Sequence, residues 1–391
     1  MNSDIVRDMF LLREDLVYLN HGSFGACPRA VHDRYQELQR ELEANPMAFL
    51  GEDREFPARL RAARHALAAF VGARGDDLVF VPNATYGINV VARSLSLRRG
   101  DEVVITDHAY GAVDRAWDYV CRRRGARLVR AAIDLPVESA SQVAREIWRQ
   151  VTERTRILCL DHITSPTALI LPLGDLLRRA HRAGILTVVD GAHGPGQLPL
   201  DLTELGADFY VGNCHKWLCA PKGAGFLWAR ADVQPLLQPL VVSWGWRSER
   251  PSASRFIDEQ EWTGTRDPAA CLAVPAAIAF QVEHDWPRVR RRCHALLREA
   301  REEITRLTGL TPICPDDGLW YSQMHTLPLP ACDHVRLQRD LRERYRIEIP
   351  VVAWRGHPYL RISIQGYNMR RDLEALLTAL PVALKAQHAA A

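Results

Sequence analysis

Residues 185–218 read ILTVVDGAHGPGQLPLDLTELGADFYVGNCHKWL. Two short apolar runs, ILTVV and ADFYV, are rich in β-branched and aromatic residues, and both predict buried strands. The first closes on Asp190. The second leads to Lys216, 26 positions later and set between His215 and Trp217. An acid that ends a fully apolar strand is costly unless it meets a cation or a hydrogen-bond donor. A helix cap or a turn aspartate is the plainer reading of Asp190 alone, as a solvated strand end is of Lys216.

The same pattern extends outward. DLVFV (77–81) runs through PNAT into a predicted helix from about Tyr86 to Leu97, and DEVVITD (101–107) through HAYGA into one near Arg115 to Arg124. RILCLDHI (156–163) precedes a helix around Asp175 to Ala183, and GAGFLWA (223–229) closes the series. Apolar runs joined by helices indicate an α/β fold whose mainly parallel sheet is covered on both faces. Ligands of such sheets bind beyond the carboxyl ends of the strands. After Ala229 the character changes. SWGWRSERPSASRF (243–256) reads as a long loop, an Ala-rich helix starts near Pro268, and the charged segment Trp286 to Leu307 leads into a smaller α/β unit. The expected division is a large domain over 16–255 and a small C-terminal domain over 256–391, with residues 1–15 packed on the latter.

Composition narrows the function. Of 391 residues, 47% are hydrophobic and 25% charged, enough to bury a large core. The net charge of +3 and the isolated triplets Arg122–Arg124 and Arg290–Arg292 argue against a nucleic-acid partner. The start, MNSDIVRDMFLLRED, lacks the form of a signal peptide, and no run is long enough to span a membrane. Nine scattered cysteines with no CxxC pair suit a reduced, cytoplasmic protein, and the histidines show no metal-ligand spacing.

Four predicted strand ends carry more polar residues than turns require. They are Asp190 with His193, Lys216 with His215, Asn83–Ala84–Thr85 at a strand-to-helix junction, and His108 with Tyr110 in DHAYGA. Helix N-termini bind phosphate through free N–H groups and the helix dipole, although a simple Asn or Thr cap would look the same. Together these parts suit pyridoxal phosphate. Lys216 supplies the amine for a Schiff base and Asp190 a carboxylate for the ring nitrogen. Ala84 and Thr85 offer a phosphate site, and Tyr110 or His108 a flat partner for the ring.

At this point the sequence resembles the class V aminotransferase family of fold type I pyridoxal phosphate enzymes, and within it the isopenicillin N epimerase branch. The resemblance rests on YLNHGSFGACP (18–28), PNATYGIN (82–89), DHAYGAV (107–113), VVDGAHGPGQLPLDL (188–202), DFYVGNCHKWLCAPKGAGFL (208–227), EWTGTRDPA (261–269) and LRISIQGYN (360–368). It implies that Lys216 is the Schiff-base lysine and that Asp190 faces the pyridine nitrogen. It implies that His193 approaches the phenolic oxygen, and that Thr85, the Ala84 backbone and His215 bind phosphate. Thr265 is implied to reach the phosphate of a neighbouring subunit in a homodimer, and Arg361 to bind the substrate α-carboxylate. The ring-stacking place falls on His108 or Tyr110, with Tyr110 preferred.

The chemistry expected is proton removal at the Cα of an amino-acid-like substrate, with Lys216 as base. Epimerisation is the leading outcome. C–S lysis of a cysteine derivative, transamination, cysteine desulfuration through Cys332 and a non-catalytic relative are the alternatives. Epimerisation calls for a second acid, for which Tyr110, His108 and His21 are candidates, and Arg266 or Arg247 could hold a second substrate carboxylate.

Overall fold

Strongly apolar runs end up as the inner strands of a seven-stranded sheet. In the computed structural model, which describes residues 3–51 and 55–388, these strands are β1 (Leu78–Val81), β2 (Glu102–Thr106), β3 (Arg127–Ala131), β4 (Thr155–Asp161), β5 (Leu186–Gly191), β6 (Phe209–Asn213) and β7 (Gly225–Ala229). Their spatial order is β1-β7-β6-β5-β4-β2-β3. All neighbours run parallel except β7, which is antiparallel to both β1 and β6. The mainly parallel sheet and its helical cover agree with the sequence.

Alternation along each strand separates two cores. Phe80, Val104, Leu158, Leu160, Val189, Tyr210 and Phe226 point to one face. Val79, Val81, Val103, Ile105, Ile157, Cys159, Val188 and Leu227 point to the other. Each such side chain, fully buried, contributes about 1.5–3 kcal/mol relative to exposure. Helices Ala84–Ser94 and Gly111–Arg124 cover the second face with Ile88, Val91, Val113 and Trp117. Asp161 and Asp190 follow Cys159 and Val188 by two residues, so both carboxylates leave this same face at the strand ends. Strand β3 has no counterpart in the sequence reading. It is the sheet's edge, and Arg127 and Arg130 interrupt any apolar run.

A second sheet is antiparallel: β8 (Met324–Pro328), β9 (Val351–Trp354) and β10 (His357–Ser363), in the order β9-β10-β8. The β9–β10 hairpin turns at Arg355–Gly356, both with positive φ (47° and 80°), as a tight hairpin of the usual twist needs. Phe256 fills the second core of the large sheet. Helix Val274–Glu283 packs against helices Arg29–Ala44 and Phe56–Phe70. The long helix Trp286–Thr308 packs against β8. Near the start of the chain, Phe10 sets its ring edge-on to Phe280 and Tyr367, and Val17–Tyr18 pairs with Ile347–Glu348. Residues 1–2 and 389–391 of the expected small domain lie outside the described residues. Among the described residues no helix is long and apolar enough to cross a membrane.

Candidate active site

The carboxyl ends of β4, β5 and β6 converge on Lys216. Asp190 is buried, and its Oδ1 accepts the Ala192 N–H at 2.9 Å. Burial raises its pKa, while that N–H and the Lys216 charge pull it back. Lys216 is half-buried, and desolvation lowers its amine to about 8 despite the attraction of Asp190. Its Nζ lies 3.2 Å from His193 Nε2, and the Trp217 indole N–H donates to His193 Nδ1, also at 3.2 Å. That second bond fixes the imidazole. With Nδ1 accepting, the ring proton sits on Nε2 and points at Lys216 Nζ, which accepts it once the amine has lost its own proton. Desolvation and the nearby Lys216 and Arg361 charges hold His193 well below its ordinary pKa, hence neutral.

The glycines of the N-terminal motif now have a reason. Gly25 has φ +70°, and a Cβ there would sit 2.0 Å from the His215 carbonyl oxygen. The backbone of residues 21–25 therefore lies directly on that of Lys216, and Lys222 Nζ donates to Gly25 O at 3.0 Å. His21 is drawn into this floor. Its Nδ1 meets Tyr367 Oη at 2.9 Å and its Nε2 meets the Lys216 carbonyl at 3.0 Å and Gln365 Nε2 at 3.1 Å. Wholly buried, with a pKa lowered to about 3 mainly by desolvation, it offers no free nitrogen to a substrate.

At the head of helix Ala84–Ser94, Asn83 caps the Tyr86 N–H at 3.0 Å. The Ala84 N–H goes to Asn213 Oδ1 at 2.9 Å. Of the expected phosphate donors, Ala84 is thus already engaged, and the Thr85 amide and hydroxyl have no partner among the described residues. His215 Nδ1 and Tyr86 Oη are buried and unpartnered. Desolvation takes His215 to about 4. Arg266 Nη2 donates to the Glu261 carbonyl at 3.1 Å, and its charge is felt at Tyr86. Thr265 is exposed beside it.

Across the site, Arg361 on β10 is buried without a carboxylate partner among the described residues. Its Nη1 donates to Ser165 O at 2.6 Å and its Nη2 to Ser23 Oγ at 3.0 Å, while Nε is unpartnered. Desolvation lowers it to about 10, still a cation at neutral pH. A buried guanidinium with no counter-ion is a ready site for a carboxylate. Tyr110 caps helix Gly111–Arg124 with 47% of its surface exposed, and it lies close enough to Arg361 to raise that residue's pKa. His108 is different. Its Nδ1 meets Thr167 Oγ1 at 2.6 Å, its Nε2 meets the Ile133 carbonyl at 3.0 Å, and its ring lies against Trp354. Only Tyr110 keeps a free ring and hydroxyl.

The aminotransferase class-V family model matches residues 17–376. The chain belongs to the class V aminotransferase family. Isopenicillin N epimerase of Amycolatopsis lactamdurans is 38% identical to it over 389 residues, 96% of each chain. A probable chloroplastic L-cysteine desulfhydrase of Arabidopsis thaliana is 29% identical, over 94% of this chain and 82% of its own length. The solved structure of a cysteine desulfurase from Escherichia coli superposes with a TM-score of 0.82 at 23% identity, covering 99% of both chains, which speaks for a shared fold type I architecture.

The cofactor of this class V chain is pyridoxal phosphate, and its residues fit that group. Lys216 is an amine whose pKa is lowered to about 8, Asp190 a carboxylate beside it, and the Thr85 amide with His215 Nδ1 forms an unfilled set of polar atoms at a helix N-terminus. Among the residues around this site that went unread in the sequence are Ser23, Asp161, Ser165, Asn213 and Trp217. Asp161 alone carried a signal, since RILCLD ends in an acid just as ILTVVD does.

Proposed function

We propose that this protein is an epimerase of an amino acid or an amino-acid-containing substrate. The carrying observation is the pairing of a half-buried Lys216, its amine lowered to about 8, with a buried Arg361 that lacks a carboxylate partner among the described residues. Arg361 takes the α-carboxylate through its free guanidinium edge, which places Cα above Lys216. Bound pyridoxal phosphate supplies an aldehyde for amines and a ring that accepts the electrons left at Cα. Lys216 Nζ removes the Cα proton, and Asp190 holds the ring nitrogen in its protonated form. His193 keeps the amine oriented through Nε2. Tyr110, with its free hydroxyl, returns a proton from the other side. Similarity to isopenicillin N epimerase along nearly the full length of both chains supports this outcome over others.

A C–S lyase acting on a cysteine derivative is the second reading, favoured by the desulfhydrase relative. Desulfuration through Cys332 has less support. That thiol is half-buried ahead of helix His334–Tyr345, and burial with the Asp333 charge pushes its pKa up, whereas a nucleophile needs it lowered. The working unit in this proposal is a homodimer in which the exposed Thr265 completes the partner's phosphate site. Trp244 and Val242, 79% and 65% exposed in the loop before it, are consistent with a surface that is covered in solution.

Incubation with an amino-acid panel in deuterated water tests the reading. Deuterium at Cα with falling enantiomeric excess is the expected result. Release of pyruvate and ammonia would move the assignment to the lyase, and keto acid formation to a transaminase.

A further inference from the structure

Asp161 has no part in the chemistry above, yet it stands opposite Asp190. The two are register partners on adjacent parallel strands β4 and β5, which lie about 4.8 Å apart in any sheet. Side chains at paired positions leave a parallel sheet on the same side, so both carboxyl groups emerge together above Cys159 and Val188. Both residues are only 4% exposed. The groups facing them unequally favour charge. Asp190 has the Ala192 N–H and the Lys216 amine, whereas Asp161 has the Tyr110 backbone and the repulsion of Asp190. Tyr210 and Cys159, the other titratable groups nearby, are buried and uncharged, with the Tyr210 hydroxyl engaged by His162 Nδ1 at 3.1 Å. Two carboxylates this close and this buried do not both ionise.

We propose that Asp161 is a positioning residue held as a neutral carboxylic acid, so that the Asp161–Asp190 pair carries one negative charge, located on Asp190. The pair then matches the single positive charge of a protonated pyridine nitrogen. A doubly ionised pair would face that nitrogen with an excess charge, and an apolar residue at 161 would leave Asp190 without its polar neighbour. Burial of Asp161 and its repulsion by Asp190 both raise its pKa well above the usual carboxylate range. The functional part of this proposal rests on the reading of Asp190 as the partner of the ring nitrogen.

Infrared difference spectroscopy tests the protonation directly, without turnover. Wild-type protein at neutral pH, cofactor-free and cofactor-loaded, is expected to show a carboxylic-acid C=O band that shifts in heavy water and is missing from Asp161→Asn. The sign of the stability effect follows from the raised pKa. Stability is retained below the unfolded-state value and lost as pH rises through the folded-state value. Asp161→Asn therefore gains in melting temperature relative to wild type as pH rises, and the difference vanishes in acid. For the positioning role, Asp161→Ala is expected to weaken pyridoxal phosphate binding by roughly tenfold, about the value of one hydrogen bond to a charged group, while Asp161→Asn stays within about twofold of wild type. Absence of the band from wild type, or its survival in Asp161→Asn, overturns the protonation claim. Equal cofactor affinity of the Ala and Asn variants overturns the positioning claim. A wild type that shows the band but gives the same absorption spectrum with pyridoxal phosphate as Lys216→Ala would instead refute the enzyme reading.

Discussion

Lys216 is a half-buried amine whose charge is poorly solvated. Its pKa of about 8 follows from desolvation outweighing Asp190, so a rise in pH through this value converts the amine to its reactive form. The rate at which cofactor-free protein combines with pyridoxal phosphate should therefore climb with pH around a midpoint near 8, followed by stopped-flow absorbance. A rate flat across that range would mean that the amine is not the group being titrated. Arg361 gives a second expectation. Arg361→Lys keeps the charge but loses the fork that spans Ser165, Ser23 and a carboxylate. KM should rise by about ten- to a hundredfold, one to two hydrogen bonds to a charged group, with kcat less affected, as steady-state kinetics would show. Such residues were legible in the sequence because they break an apolar pattern. Ser23 and Ser165 were not, since a serine in a loop acquires meaning only from a partner 338 or 196 positions away.

At the level of elements, the strands that read clearly are those buried on both faces, where a nearly continuous apolar run is unavoidable. The edge strand β3 reads Arg-Leu-Val-Arg-Ala, with both arginines exposed and Leu128 and Val129 half-buried, and resembles a polar connection. The start of helix Ala84–Ser94 was readable from its Asn83 cap. What no local pattern could give was the contact of the Gly25 backbone with that of Lys216, because it joins the first turn of the chain to its middle. Gly25→Ala measures that contact. The positive φ alone costs an alanine about 1–3 kcal/mol, and the Cβ placed 2.0 Å from His215 O forces the two segments apart. Urea denaturation should show a loss of at least about 2 kcal/mol, with weaker cofactor retention at unchanged Lys216 chemistry. Stability equal to wild type would mean that the 21–25 segment is not bound to the lysine loop in solution.

Across the whole molecule, one hairpin ties the second sheet to the large one. Strand β10 carries Arg361 into the site, and the tip of the same hairpin grips the loop that ends in Tyr110. Trp354 Nε1 donates to the Asp107 carbonyl at 3.2 Å, and its ring lies 4.4 Å from that of His108. Arg355 bridges Asp107 at 2.7 Å and Asp134 at 2.6 Å. The proposed carboxylate anchor and the proposed second acid thus share a support, although they belong to different sheets. The two tip residues should not contribute equally. Arg355 is partly exposed, so its ion pairs are screened, and Arg355→Ala should cost no more than about 1 kcal/mol. Trp354 is mostly buried, and Trp354→Ala removes an indole from a packed site, at about 3–5 kcal/mol. Since Tyr110 and Arg361 lose their common frame together, KM and kcat should both deteriorate in Trp354→Ala. In Arg355→Ala they should change little. Denaturation midpoints and steady-state kinetics on the pair decide the matter. A Trp354→Ala protein as stable and as active as Arg355→Ala would show that the two sheets hold the site independently, leaving the hairpin tip as a surface contact only.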